Sequence, residues 1–272
     1  MVPFLLYALV FLGLPAGAVA WGAFERPGGG FTLRNLRLAS QGTYRKGFET
    51  SLELSLIVAV ISCVVGLTVA MAVHRAPTNS LLRRIIVTAS GVFANFGGVP
   101  LAFIFVATLG TSGFGTRLLS DLGFGLYSSG FNLYALSGLA LVYLYWEIPL
   151  MVLVILPALE ALAPQQREAA LNLGADGRQY WRLVGVPVLM PSVVGATLLL
   201  FASSFSAYAT AEALTSGSVP LSAIQIGSFL SGNVIAGQEN VGKALGLGMI
   251  LVGAVVMVFY TLLQRRVARW MR

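Results

Sequence analysis

The chain of 272 residues is 57% hydrophobic and only 10% charged, with a mean hydropathy of +0.84. That is far more apolar surface than a water-soluble core of this length can hide, so lipid is the solvent for most of it. The net charge of +7 does not argue for nucleic acid, because the basic residues collect at the ends of apolar runs and not along one soluble face.

The first apolar run covers about residues 3–24. Ala18-Val19-Ala20 resembles a signal-peptidase site, but no Lys or Arg precedes Arg26 and the run is long enough to span, so a retained first helix is expected. Further runs at about 50–73, 85–109, 131–157, 187–211 and 241–263 each read as a spanning helix, since about 20 helical residues cross the hydrocarbon. Gly97-Gly98 before Pro100 is expected to disturb the third span, although small residues also pack membrane helices. The expected fold is all-α: one six-span membrane domain over residues 1–272, with no internal repeat and no linker.

One cysteine, Cys63, and one histidine, His74, cannot build an intrachain disulfide or a Cys/His metal cluster. A catalytic triad would rest on His74 alone, and its place beside Arg75 at the end of a run suits an interfacial role. An enzyme is therefore not expected, and no metal site is expected.

Six spans put both termini on one side. With that side cytoplasmic, ten basic residues fall inside: Arg75, Arg83, Arg84, Arg167, Arg178, Arg182, Arg265, Arg266, Arg269 and Arg272. Seven fall outside: Arg26, Arg34, Arg37, Arg45, Lys46, Arg117 and Lys243. The bias favours both termini in, against the pull of the five cations at 26–46. The stretch from Arg34 to Glu49 mixes leucines with these cations, as an interfacial segment or a solvated loop would.

Between the fourth and fifth spans, about residues 160–183 form a polar, helix-favouring insert. Pro164 suits a first helical position, and Gly174 can end that helix in the left-handed conformation. Asp176 can cap a second helix, with Gln179 reaching back to it and Tyr180, Trp181 and Leu183 giving an apolar face. The expectation is two short helices around a glycine turn.

Within this insert stand Glu168-Ala169-Ala170, three residues, Gly174, nine residues, then Val184-Gly185-Val186-Pro187. The spacing resembles the EAA loop of ABC importer permeases, with valine in place of both Ile and Leu of that family's Ile-x-Leu-Pro. The resemblance runs from about residue 48 to the C-terminus. It implies that Glu168, Ala169, Ala170, Gly174, Ala175, Asp176 and Pro187 belong to a coupling helix that docks on a cytoplasmic ATPase and passes on its closure. The bland alternative is an amphipathic loop helix covering the end of the bundle.

No Gly-x-x-x-x-Gly-Lys-Ser/Thr pattern occurs, so ATP and Mg would bind the partner and no cofactor this chain. The resemblance implies two ATPase subunits, a second permease and an extracytoplasmic solute-binding protein, in a bacterial inner membrane with both termini cytoplasmic. A weaker likeness to polyamine-type permeases, over Phe205 to Gly246 with Leu221, Gly227, Asn233 and Ala244 to Gly246, implies that the second permease is a paralogue.

Acids in apolar runs are costly and need a partner or a watery path. Glu147, between Trp146 and Pro149, and Glu53 are the candidates, and an acid beside an aromatic suits a cation such as a polyamine. Glu53 near a helix start is equally served by complementing the dipole. Ferric iron, thiamine, phosphonate or an oxyanion stay open as substrates. A self-sufficient secondary transporter or a channel stays open as the rival class, although the related halves and paired broken helices of the former are not evident.

Overall fold

The computed structural model describes residues 3, 6–7, 9–77, 79–162, 164–232 and 237–270; of residues 164, 263, 264 and 266–270 only the backbone is described. Helices account for nearly all of the ordered backbone, and the one β-bridge among the described residues pairs Glu25 with Phe31. In chain order they are α1 (Leu9–Gly22), α2 (Arg34–Ala39), α3 (Gly42–Arg75), α4 (Leu81–Ala94), α5 (Val99–Leu109) and α6 (Phe114–Asp121). Next come α7 (Leu136–Glu160), α8 (Pro164–Asn172), α9 (Gly177–Ser206), α10 (Ala209–Thr215), α11 (Ser222–Leu230) and α12 (Val241–Trp270). Among the described residues five stretches are long and apolar enough to cross a membrane, and α1 is a shorter apolar helix.

The centre of the bundle is α3 packed along α7, with α9 against both. The approach is close because Gly66 faces Met151: a Cβ at Gly66 would lie 2.6 Å from Met151 Cβ and 3.0 Å from the Ile148 carbonyl oxygen. In lipid such contact between small residues and a neighbouring backbone drives helix association, since apolar burial between helices gains nothing over lipid tails. Around it Ala59, Met151, Ile155, Leu159, Leu189 and Leu200 form the core nearer the insert. Leu54, Val58, Leu101, Leu139, Tyr143 and Leu221 form the core nearer the opposite face, here called distal. At that face Asn35 is 1% exposed and donates to the carbonyls of Ala23 (3.1 Å) and Glu25 (2.8 Å), which ties α2 to the end of α1.

Several boundaries differ from the expected spans, for local reasons. The third span, expected over 85–109, is two helices. Asn95 closes α4 with its side chain on the Gly91 carbonyl, Gly98 sits at φ +77, and Pro100 at the start of α5 cannot donate to a preceding turn. The fourth begins at Leu136, not 131, because Asn132 draws Tyr134 and Ala135 into a turn. The fifth leaves the helix at Ala207, not 211. The second begins at Gly42, so the expected interfacial stretch 34–49 is split between α2 and the protruding start of α3.

Gly66→Val is expected to lower the melting temperature of the purified protein, because overpacking a tight contact costs about 1–3 kcal/mol. Gly91→Val, where a Cβ meets nothing within 4 Å, is expected to leave it nearly unchanged in the same thermal scan.

Candidate functional site

Two regions hold the residues singled out in the sequence. The first is the insert. Its helix α8 ends in a paired cap: the Ala175 amide donates to the Ala170 carbonyl (3.0 Å) and the Gly174 amide to the Leu171 carbonyl (2.9 Å). This is a Schellman arrangement, with Gly174 at φ +82 as its left-handed residue. The four-residue interval from Ala170 to Gly174 is thus a requirement of the helix end. Asp176 then opens the next helix with a reciprocal box, Gln179 N donating to Asp176 Oδ1 (2.6 Å) and Asp176 N to Gln179 Oε1 (2.8 Å).

The second helix does not stop before the fifth span. It continues through a π turn over Trp181–Gly185 into the span as one helix, α9. Trp181 folds over Gly185, where a Cβ would lie 2.6 Å from its ring, and Pro187 is exposed just beyond. Glu168, Ala169, Asp176, Leu171, Leu173 and Leu183 are exposed, Leu173 by 88%, while Ala170 and Tyr180 are buried. Between the insert and the ends of α3 and α7 lies a cavity of about 830 Å³ lined by His74, Arg75, Glu160, Arg167, Glu168 and Tyr180. Arg83 pairs with Glu160 and holds the start of α4 to the end of α7.

The second region lies where the two helix interruptions meet inside the bundle. Thr210, just after the break at 207–208, accepts from Gly98 N (2.9 Å) and donates to the Gly98 carbonyl (3.2 Å), across 112 residues. Tyr143 donates to the Ala207 carbonyl (3.0 Å). A cavity of about 420 Å³ opens between the breaks, lined among others by Asn95, Gly98, Trp146, Ser203, Tyr208 and Thr210. Trp146 is 7% exposed and its ring lies 4.5 Å from that of Tyr143.

Glu147 is 0% exposed and is not among the lining residues. Its Oε1 accepts from Trp146 Nε1 (3.1 Å) and Ser204 Oγ (2.9 Å). Glu53 is exposed on α3, so the two acids do not share a site. Asn95, Tyr208 and Thr210 were not singled out from the sequence. The signal available was the polar run after Phe201, where Ser203, Ser204 and Ser206 thicken toward the end of an apolar helix. Asn233 lies outside the described residues.

A lipid-spanning helical bundle with an exposed, rigidly capped insert fused to one span is the architecture of a membrane transport subunit. The chain belongs to the family of binding-protein-dependent transport system inner membrane components, which matches residues 62–272. It is 27% identical over 228 residues to the ferric transport system permease protein FbpB of Actinobacillus pleuropneumoniae, covering 82% of this chain and 31% of that one. It is 26% identical over 275 residues to the sulfate transport system permease protein CysW of Synechococcus elongatus, covering 98% and 89%. The chain thus spans about a third of the ferric relative and most of the sulfate relative. In fold it is similar to a chain of a bacterial ABC transporter involved in import of the acidic polysaccharide alginate, with a TM-score of 0.76, 18% identity and coverage of 97% and 93%. A bacterial alginate transporter bound to a pentasaccharide-loaded periplasmic protein gives 0.72 at 16% identity, covering 98% and 92%.

Glu147→Leu leaves the Trp146 and Ser204 donors buried without an acceptor, so a loss of about 1–3 kcal/mol is expected. Glu147→Gln keeps an acceptor oxygen and is expected to lose less. Thermal unfolding of the two variants in detergent, side by side, checks the order.

Proposed function

We propose that this chain is one permease subunit of an ATP-driven importer, forming half of a translocation path whose other half is a second permease, a paralogue. In this reading the insert lies in the cytoplasm and docks on one of two ATPase subunits, which bind ATP and Mg²⁺. A soluble binding protein delivers the solute at the distal, extracytoplasmic face. The observation that carries the reading is the insert: Glu168 and Leu171 on α8 and Leu173 just past its end stand exposed, Leu173 by 88%. Exposed apolar side chains beside a carboxylate fit a protein partner better than water. The continuity of the insert with α9 supports transmission of a rigid-body displacement into the bundle.

The path reading falls on the cavity between the helix breaks, with Trp146 at its wall and Glu147 behind it as a holding group. Among the described residues the lining offers hydroxyl and amide groups from Ser203, Tyr208, Thr210 and Asn95 and no carboxylate. That chemistry suits a small oxyanion better than a polyamine cation, and the relative matched over most of its length bears sulfate in its name. The polyamine reading has no support from either source. Uptake by proteoliposomes of the complete transporter, with labelled sulfate and an excess of unlabelled sulfate, ferric citrate, thiamine or spermidine, tests this. Competition by spermidine and not by sulfate would overturn it.

The substitutions Glu168→Ala and Gly174→Val are expected to uncouple ATP hydrolysis from transport, with transport falling at least about tenfold while the subunit still inserts. Gly174→Val forces a β-branched residue into the left-handed region. The check is ATPase activity and uptake on the same proteoliposomes. Normal transport with both replaced, or no ATPase co-purifying with either protein, would refute the importer reading.

A further inference from the structure

The chain's one histidine, His74, and its neighbour Arg75 close α3. That helix carries no charged residue from Leu54 to Val73, so the pair stands where hydrocarbon gives way to headgroups on the side of the insert. Both line the cavity of about 830 Å³ between the insert and the bundle, and Arg167 lines it from α8. The volume falls within the roughly 300–1,000 Å³ usual for small-ligand sites.

The charges around this cavity do not cancel. Of the two acids that line it, Glu160 is already paired with Arg83, which leaves Glu168 against Arg75 and Arg167. Among the described residues neither of these two arginines forms an ion pair. The excess extends to the surroundings: over residues 74–84 and 160–182, six arginines meet three acids, Glu160, Glu168 and Asp176. The Asp176 carboxylate is itself engaged by the Gln179 amide.

The two arginines come from elements that do not otherwise grip each other. α8 packs chiefly on the start of α9, and among the described residues no ion pair joins it to α3. An anion in the gap bridges Arg75 to Arg167 and so ties the insert to the bundle. Guanidinium groups match phosphate oxygens in charge and in their paired, planar geometry. Leu162, Leu171 and Trp181 add apolar surface to the same wall, which suits the glycerol and upper acyl carbons of a lipid.

We propose that this cavity is a phosphate site, held by Arg75 and Arg167 and filled from the cytoplasmic leaflet by the headgroup of an anionic phospholipid. Basic pockets at the cytoplasmic ends of spans take such headgroups. The inference goes beyond the permease reading and takes from it only that the insert end is cytoplasmic. Once occupied, the site makes displacement of the insert sensitive to the lipid around it.

The test uses the complete transporter in detergent, stripped of lipid, with labelled dioctanoyl phosphatidylglycerol and labelled inorganic phosphate as separate probes. Dioctanoyl phosphatidylcholine is the control for apolar binding. Only the difference between wild type and variants is read, so sites on partner subunits cancel. The wild type is expected to bind phosphatidylglycerol saturably and in preference to phosphatidylcholine. Arg75→Gln with Arg167→Gln is expected to weaken that binding at least about tenfold. Arg178→Gln with Arg182→Gln, exposed and outside the lining, is expected to leave it unchanged. Glu168→Gln removes the opposing carboxylate and is expected to strengthen it severalfold. That gain cannot come from a misfolded subunit, so it decides the matter if the double arginine variant fails to insert. Equal binding by wild type and the Arg75 and Arg167 variant, or no gain in Glu168→Gln, would overturn the site, and an ATPase still co-purifying would leave the permease reading standing. Binding of inorganic phosphate in place of the lipid would overturn the lipid as the source. If no ATPase co-purifies with the wild type, the permease reading fails, and the same titration of the chain alone still decides the site.

Discussion

A helix that breaks inside a bilayer must find partners for the backbone groups it frees, since lipid offers none. Much of the polar chemistry in this bundle answers that demand. The chain breaks at 95–98 and again at 207–208, and the two breaks are brought together so that Thr210 serves both the amide and the carbonyl of Gly98. Tyr143 takes the carbonyl of Ala207, and Asn95 takes that of Gly91. Even Glu147 belongs to this scheme: it gathers Trp146 and Ser204 next to the second break and is wholly enclosed in doing so. The cavity beside it exists because two helices end there without a neighbour filling the gap.

The same bundle is stiff where the insert joins it and tight where its central helices meet. Close approach at Gly66 locks α3 to α7, while α9 carries the insert directly into the contact with both. Displacing the insert therefore displaces a helix that the core already grips. A loop joined to the span through a flexible linker would dissipate the same displacement.

Features set by neighbours in sequence were legible before the structure. The Asp176 and Gln179 box, the glycine turn at Gly174 and the disturbance at Gly97-Gly98-Pro100 each arise from three to six adjacent residues. The insert was legible for the same reason, and with it the family. What could not be read depends on contacts between distant segments. Thr210 meets Gly98 across 112 residues, and no local pattern marks either as the other's partner. In a chain that is apolar on every side, periodicity does not say which face of α7 meets lipid and which meets protein. Sequence therefore offered Glu147 and Trp146 alike as candidates for the path; the structure encloses Glu147, and Trp146 is the one of the two that lines the cavity. The protruding start of α3 was missed because its polar first turns resemble a loop in composition.

The π turn at Trp181–Gly185 sets a phase. Tyr180 and Leu189 are nine residues apart, which in an uninterrupted α-helix would put them about half a turn apart, on opposite sides of the axis. A π turn holds one residue more than an α turn and so sets back the remainder of the helix by about 100°. The two side chains are brought to within roughly a quarter turn of each other, and both are 6% exposed. One surplus residue thus decides that the insert folds back against the bundle when the span is seated. Losing a residue from this turn would swing the insert around the helix axis without altering any of its own contacts.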